Sequence, residues 1–118
     1  MRIAILAPTP RQARGAVADL LADQPAEIVE TARLVASEVV SNAIEHGGGA
    51  EEITLLRGST LLHVEVLDGN PTPPTILHVA PNVARGRGMF LVDSLSSRWS
   101  TCRAGTGKTV SFEVDLRG

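Results

Sequence analysis

Three polar side chains suited to metal binding and proton transfer recur at intervals of one helical turn in a single segment of the sequence. Glu38, Asn42 and His46 stand at positions i, i+4 and i+8, so that in a helix they share one face. A carboxylate, an amide and an imidazole in line can bind a hydrated cation and orient a water or a hydroxyl group. An ordinary solvated helix face has the same pattern, and from the spacing alone that interpretation is favoured.

Two further segments contain residues that could bind a ligand, but each alone is weak evidence for a binding site. Asp68 follows the apolar run 61–67, where an aspartate serves as a turn residue or as an acceptor for an N–H group of a ligand. Residues 86–89 (GRGM) precede an apolar segment, and glycines before a helix let backbone N–H groups approach an anion. Neither pattern by itself distinguishes a binding site from an ordinary turn.

Residues 104–109 (AGTGKT) look like a phosphate-binding P-loop but lack two of its requirements. A P-loop has the pattern GxxxxGK[ST] between a strand and a helix, and here Cys102 stands where the first glycine is required. The residues that follow alternate between apolar and polar, which predicts a half-buried strand instead of a helix. The segment is therefore predicted to be a glycine turn between two closing strands.

The elements that position these residues follow from the apolar periodicity and from the glycines and prolines between the periodic segments. We predict strand 1–7, helices 11–22 and 26–46, strands 52–56 and 61–67, a loop from 68 to 85, helix 86–97, and strands 98–103 and 108–116. The helix 26–46 has the clearest apolar stripe, formed by Ile28, Ala32, Val35, Val39 and Ala43. Hairpins imply antiparallel pairs, so the order predicts an α+β two-layer sandwich with a mixed, mostly antiparallel sheet and the helices on one face.

Composition narrows the classes of function. A length of 118 residues suits one domain with a buried core, and residues 1–118 are interpreted as a single domain. The formal net charge of −2 lacks the basic surplus of nucleic-acid-binding proteins, and the apolar run 3–7 is too short to enter a membrane. The lone Cys102 excludes an internal disulfide framework, which favours a cytoplasmic location.

In this order, the segments resemble the nucleotide-binding motifs of the GHKL ATPases, the superfamily of gyrase, Hsp90, histidine kinases and MutL. Residues 37–47 (SEVVSNAIEHG) resemble its N box, 68–69 its adenine box, 86–92 its glycine box and 105–112 its last box. The resemblance covers nearly the whole chain and implies the Bergerat ATP-binding fold. The compact size and residues 95–99 (LSSRW) resemble most the anti-sigma-factor serine kinases and their actinobacterial relatives.

The resemblance implies a role for each residue that matches a motif. Asn42 is expected to coordinate Mg²⁺ on the phosphates of ATP, Glu38 to act as the general base towards a substrate serine, and Asp68 to accept the adenine amino group. Thr109 would support the adenine contact, and His46 would lie beside the nucleotide or only interact with the helix C-terminus. The phosphates would be held by the backbone of Gly86, Arg87, Gly88 and Met89.

The chain departs from the family pattern in the adenine box. This box is usually Asp-x-Gly, whereas Gly69 follows Asp68 directly and Asn70 takes the place of the glycine. The run 68–71 (DGNP) matches the Asp-x-x-Pro of actinobacterial members. The lid, from about residue 72 to residue 85, is short and rich in proline, which implies slow hydrolysis. Lys108 is expected to have no more than a minor part in phosphate contact.

The resemblance leaves three functions open. The first is a protein-serine kinase that regulates transcription: it binds a sigma factor and phosphorylates a small anti-anti-sigma protein. The second is a non-catalytic module that binds a partner and uses ATP only as a conformational ligand, and the third is a detached catalytic domain of a histidine kinase. Glu38 favours the first, because a pure binder has no need of a base. A homodimer, or a partner laid against the sheet or the first helix, is also expected, with Met1, Ile3 and Ile5 as an apolar edge.

Overall fold

The computed structural model of the chain describes residues 1–73 and 87–117, without the side chain of Arg87. The elements are β1 (Arg2–Leu6), α1 (Pro10–Leu20), α2 (Ala26–His46), β2 (Ala50–Arg57), β3 (Leu61–Asp68), α3 (Arg87–Leu95), β4 (Arg98–Ala104) and β5 (Gly107–Asp115). The predicted order of helices and strands is confirmed. The bounds of α2 agree with the prediction, and Asp68 is the last residue of β3 where a loop was predicted to begin. Of that loop, residues 74–85 lie outside the described residues.

The strands form a five-stranded sheet in the order β1-β2-β3-β5-β4. All four pairings between described strands are antiparallel, so the predicted α+β fold with a mostly antiparallel sheet is confirmed. Strand β3 lies in the middle, between β2 and β5. Its last residue, Asp68, therefore has a strand on each side and stands opposite Lys108 of β5.

The helices cover one face of this sheet. Helix α2 packs against α1, α3 and strands β2 and β3, and its stripe residues Ala32, Val35, Val39 and Ala43 are at most 2% exposed. Side chains from alternate positions of the central strands complete the core: Ile53, Leu55, Leu62, Val64, Val66, Val110 and Phe112. Burial of each large apolar side chain contributes about 1.5–3 kcal/mol, so this packing fixes where α2 lies on the sheet. No helix in the described ranges is long and apolar enough to cross a membrane.

Glycines end α2 and turn the last hairpin. The N–H groups of Gly47 and Gly49 both donate to the Ala43 carbonyl, at 2.8 and 3.0 Å, and Gly49 has a φ of 113°, in the region that favours glycine. The helix therefore stops at His46. Gly105, with a φ of 58°, lies in the short turn between β4 and β5, which confirms that AGTGKT is a hairpin turn.

Candidate functional site

Helix α2 carries the first group of predicted site residues along one side. Glu38 and Asn42 are half-buried, whereas His46 is exposed. Among the residues that the structure describes, neither Glu38 nor Asn42 makes a side-chain hydrogen bond. His46 has only a 3.7 Å contact with Glu45, its neighbour in sequence. The Glu38 carboxylate and the Asn42 amide are thus one helical turn apart. Both are half-buried, and neither forms a hydrogen bond that stabilises the described part of the fold.

The second group centres on the buried carboxylate of Asp68. This side chain is 1% exposed and that of Lys108 is 3% exposed. The Lys108 ammonium group lies 3.1 Å from Oδ1 and 3.0 Å from Oδ2, and it also donates to the Asn70 carbonyl at 3.0 Å. The carboxylate of Asp68 is therefore held in a buried ion pair.

Asn70 links this ion pair to the end of α2. Its backbone N–H donates to Oδ1 of Asp68 at 2.9 Å, and its side-chain amide donates to the His46 carbonyl at 2.8 Å. The last carbonyls of a helix have no partner within the helix, so this bond also satisfies one of them. The residue that departs from the family's adenine box therefore holds Asp68 beside the C-terminal end of α2, one turn beyond Asn42.

Two glycines allow the backbone to approach Asp68 closely. A Cβ atom on Gly47 would lie 2.6 Å from Cγ of Asp68 and 2.7 Å from its Oδ2. A Cβ atom on Gly107 would lie 1.9 Å from the Asp68 carbonyl oxygen. Neither distance is possible for a real side chain, so these positions require glycine as long as Asp68 stays where it is.

Gly47→Ala is expected to destabilise the fold by about 1–3 kcal/mol, the usual cost of forcing a methyl group into a packed site. Urea unfolding followed by circular dichroism measures this. Gly15→Ala is the matched control, because a Cβ atom there meets nothing within 4 Å and alanine in a helix stabilises by about 0.5–1 kcal/mol over glycine. A Gly47→Ala protein as stable as the wild type would contradict the close packing of α2 against Asp68.

Strand β5 places Lys108 at the carboxylate and Thr109 elsewhere. Lys108, Val110 and Phe112 are buried, while Thr109 and Ser111 are half-buried on the other face of the sheet. The Thr109 hydroxyl donates to the Cys102 carbonyl of β4 at 3.4 Å, so the structure does not bring it to Asp68. The sequence analysis did not predict the contact between Lys108 and Asp68. The alternation that predicts β5 assigns Lys108 to the same face as the buried Val110, and this pattern could have indicated that Lys108 points inwards.

Helix α3 begins at Arg87, at the predicted glycine box. Met89 is 2% exposed and belongs to the core, so only its backbone remains for a ligand. Gly86 lies outside the described residues. The first N–H groups of a helix lack partners within it and suit an anion, and contact between phosphates and the backbone of Gly86, Arg87, Gly88 and Met89 stays a prediction.

His63 lies on the face of the sheet that the helices leave open, remote from the polar side of α2. Its Nδ1 is 3.2 Å from Oε2 of Glu113 and its Nε2 is 3.0 Å from Oε1 of Glu65. Burial of the ring acts to lower the pKa of His63, but the hydrogen bonds and charges of the two carboxylates outweigh it and raise that pKa above its usual value. This charge cluster links β3 to β5 and has no contact with the candidate site.

The model of the histidine kinase-like ATPase domain matches residues 6–114, and the chain therefore belongs to this family. Membership in this family of ATPase domains assigns nucleotide binding to the chain, and the resemblance to the GHKL ATPases is confirmed. Comparison with curated proteins gives no match.

Two solved structures share the fold. The structure of the RsbU and RsbW domains of Rv1364c from Mycobacterium tuberculosis matches 98% of this chain with a TM-score of 0.65 and 19% identity, and the chain spans 31% of that polypeptide. The catalytic domain of the histidine kinase ThkA (TM1359), in a nucleotide-free form, has a TM-score of 0.53 and 16% identity, with 98% of this chain and 96% of that one covered. At these identities the similarity shows the fold alone.

Proposed function

We propose that the chain binds ATP with Mg²⁺ at the site formed by α2 and Asp68, and transfers the terminal phosphate to a serine of a small anti-anti-sigma protein. In the same proposal it binds a sigma factor as well. The observation that carries the proposal is the hydrogen bond from the Asn70 amide to the His46 carbonyl. That bond supports the proposal because it holds Asp68, the carboxylate proposed to read the base, beside His46, which follows Asn42 by one turn of α2 and Glu38 by two turns.

Asn42 can provide one ligand to a Mg²⁺ ion whose other ligands are phosphates and water. The described residues contain no group of three or more acidic, histidine or cysteine side chains that could hold a metal. Mg²⁺ needs no such group, because it usually keeps several waters and takes the rest of its ligands from phosphates and one or two side chains. The half-buried amide oxygen of Asn42 can supply one such ligand, and the bound ion would neutralise charge on the phosphates.

Glu38 is proposed to accept the proton of the attacking serine. Phosphoryl transfer depends mainly on positioning and electrostatics, together with a residue that orients or deprotonates the nucleophile. Glu38 precedes Asn42 by one turn on the same side of α2, so its carboxylate lies beside the residue that would hold the metal. Its half-burial and the lack of a hydrogen-bond partner among the described residues leave both oxygens available to a hydroxyl group.

Asn42→Ala is expected to weaken ATP binding about tenfold or more in Mg²⁺, since hydrogen bonds and contacts to charged groups contribute about 1.5–3 kcal/mol, and much less in EDTA. Isothermal titration calorimetry in the two buffers measures both affinities. Ser41→Ala, one residue earlier in the same helix, is the matched control and should leave both unchanged. An equal loss with and without Mg²⁺ would remove Asn42 from metal binding.

The proposed protein partners are supported by the shared fold and by one edge of the sheet. The similarity to a structure that contains an RsbW domain agrees with the motif resemblance to anti-sigma-factor kinases. Strand β1 is an edge of the sheet, and unpaired strand edges can bind another chain, which supports the proposed homodimer. Ile3 and Ile5 pack against the core, so a dimer through this edge would use the exposed Met1 and Leu6.

Two other functions remain to be separated from the kinase. The second candidate is a detached histidine kinase domain, which would place the phosphate on a histidine; the catalytic domain of ThkA shares this fold over nearly its whole length. A module that uses ATP only as a ligand would bind its partner in an ATP-dependent way and transfer nothing. The chemical stability of any transferred phosphate distinguishes these outcomes.

A further inference from the structure

The ammonium group of Lys108 is held by Asp68 and Asn70. Within the described residues it donates to Oδ1 of Asp68 at 3.1 Å and to the Asn70 carbonyl at 3.0 Å, and Oδ2 of Asp68 lies 3.0 Å away as the closest ion-pair contact. Only 3% of the side chain is exposed. The lysine of the GKT sequence therefore serves Asp68.

The acceptors on Asp68 are unequally used. Oδ1 accepts hydrogen bonds from the Asn70 N–H at 2.9 Å and from Lys108, whereas Oδ2 has only the ion-pair contact with Lys108 within the described residues. A carboxylate has about four lone-pair sites, so Oδ2 is the oxygen that can accept a further hydrogen bond. As long as Asp68 is ionised, this oxygen can accept from a ligand and cannot donate to it.

We propose that Lys108 is a positioning residue that makes the site selective for a purine with an exocyclic amino group, because its charge keeps the buried Asp68 an acceptor only. This inference rests on the proposed ATP site and adds the residue that sets its selectivity. A purine without the amino group would turn a ring nitrogen, itself an acceptor, towards the same carboxylate oxygens.

Loss of the Lys108 charge would weaken this selectivity. A buried carboxylate without a counter-ion is so costly that it becomes neutral instead. A protonated Asp68 carries one O–H donor, which can bond the ring nitrogen of either purine, and its other oxygen remains only as an uncharged acceptor for the amino group. The neutral variant should therefore lose most of its preference for the amino group, whereas a simple loss of packing would weaken all nucleotides alike.

The test compares ATP with purine riboside triphosphate, which differs from ATP only by the missing amino group, using calorimetry on the full chain. We expect wild type to prefer ATP by about 10- to 150-fold, as for a hydrogen bond to a charged group. Lys108→Arg keeps the charge and should keep most of this ratio. Lys108→Met, and Lys108→Gln as a second neutral variant that still offers hydrogen-bond donors, should lower the ratio about five- to tenfold, the difference between a charged and an uncharged acceptor.

An unchanged ratio in a folded neutral variant would overturn the proposal. So would a failure of both neutral variants to fold while Lys108→Arg folds, because Lys108 would then act in folding instead of selectivity. Failure of the ATP site itself has a different signature, since wild type would then bind neither nucleotide.

Discussion

Glu38→Gln is expected to slow phosphoryl transfer to the partner serine by about 10²–10⁴-fold, the usual contribution of a general base, while the affinity for ATP stays almost the same. Glutamine keeps the shape of the side chain and its capacity for hydrogen bonds, but it lacks the basic oxygen that takes the proton. In the proposed site, the adenine and phosphate contacts do not involve this residue. Single-turnover transfer from radiolabelled ATP measures the rate, and calorimetry measures the affinity.

Glu27→Gln provides the matched control for this experiment. Glu27 is exposed in the first turn of α2, about 16 Å from Glu38 along the helix, and the same change of charge there should leave transfer unaltered. Equal transfer by wild type and Glu38→Gln would leave Glu38 as a residue of a solvated helix face.

Asp68→Asn is expected to lower ATP affinity by about one to two decades, since the bond from the adenine amino group loses its charged acceptor. The same substitution should destabilise the fold by about 3–5 kcal/mol, because it leaves the buried ammonium group of Lys108 without its partner. Calorimetry and urea unfolding measure the two effects separately.

The double variant Asp68→Asn, Lys108→Met separates recognition from stability. It replaces a buried ion pair with two neutral side chains, a change that is often neutral or stabilising, so most of the lost stability should return. ATP affinity should remain low, because the charged acceptor is still missing. Full recovery of ATP binding in the double variant would show that Asp68 serves the fold and does not read the base.

The fold could be predicted from the sequence because its signals are local. The apolar stripe of α2 and the glycines that follow it fix both ends of this helix, and the alternation after Thr109 predicts β5. The hairpins then imply antiparallel pairing. The ends of the other elements agree with the prediction to within two residues. In β3, backbone pairing continues beyond the apolar run to Asp68, which pairs with Lys108.

The contacts around Asp68 could be predicted only in part. Helical spacing alone puts Glu38, Asn42 and His46 on one side of α2. The bond between Asn70 and His46 joins residues far apart in sequence, and no periodicity shows it. The inward orientation of Lys108 could have been predicted, because the alternation of β5 assigns this residue to the inner face. The motif resemblance instead drew attention to Thr109, whose hydroxyl bonds to Cys102 on the other face.

The most direct test of the proposed kinase is an assay with Mg²⁺ and ATP radiolabelled on its terminal phosphate. The substrate is the protein partner that binds the chain in the presence of ATP, and the assay measures transfer of label to it. The account predicts label on the partner that is stable in acid and labile in alkali, as phosphoserine is, and that disappears when the partner's acceptor serine is replaced by alanine. Label that is labile in acid, as phosphohistidine is, or ATP binding without any transfer to a retained partner, would contradict it.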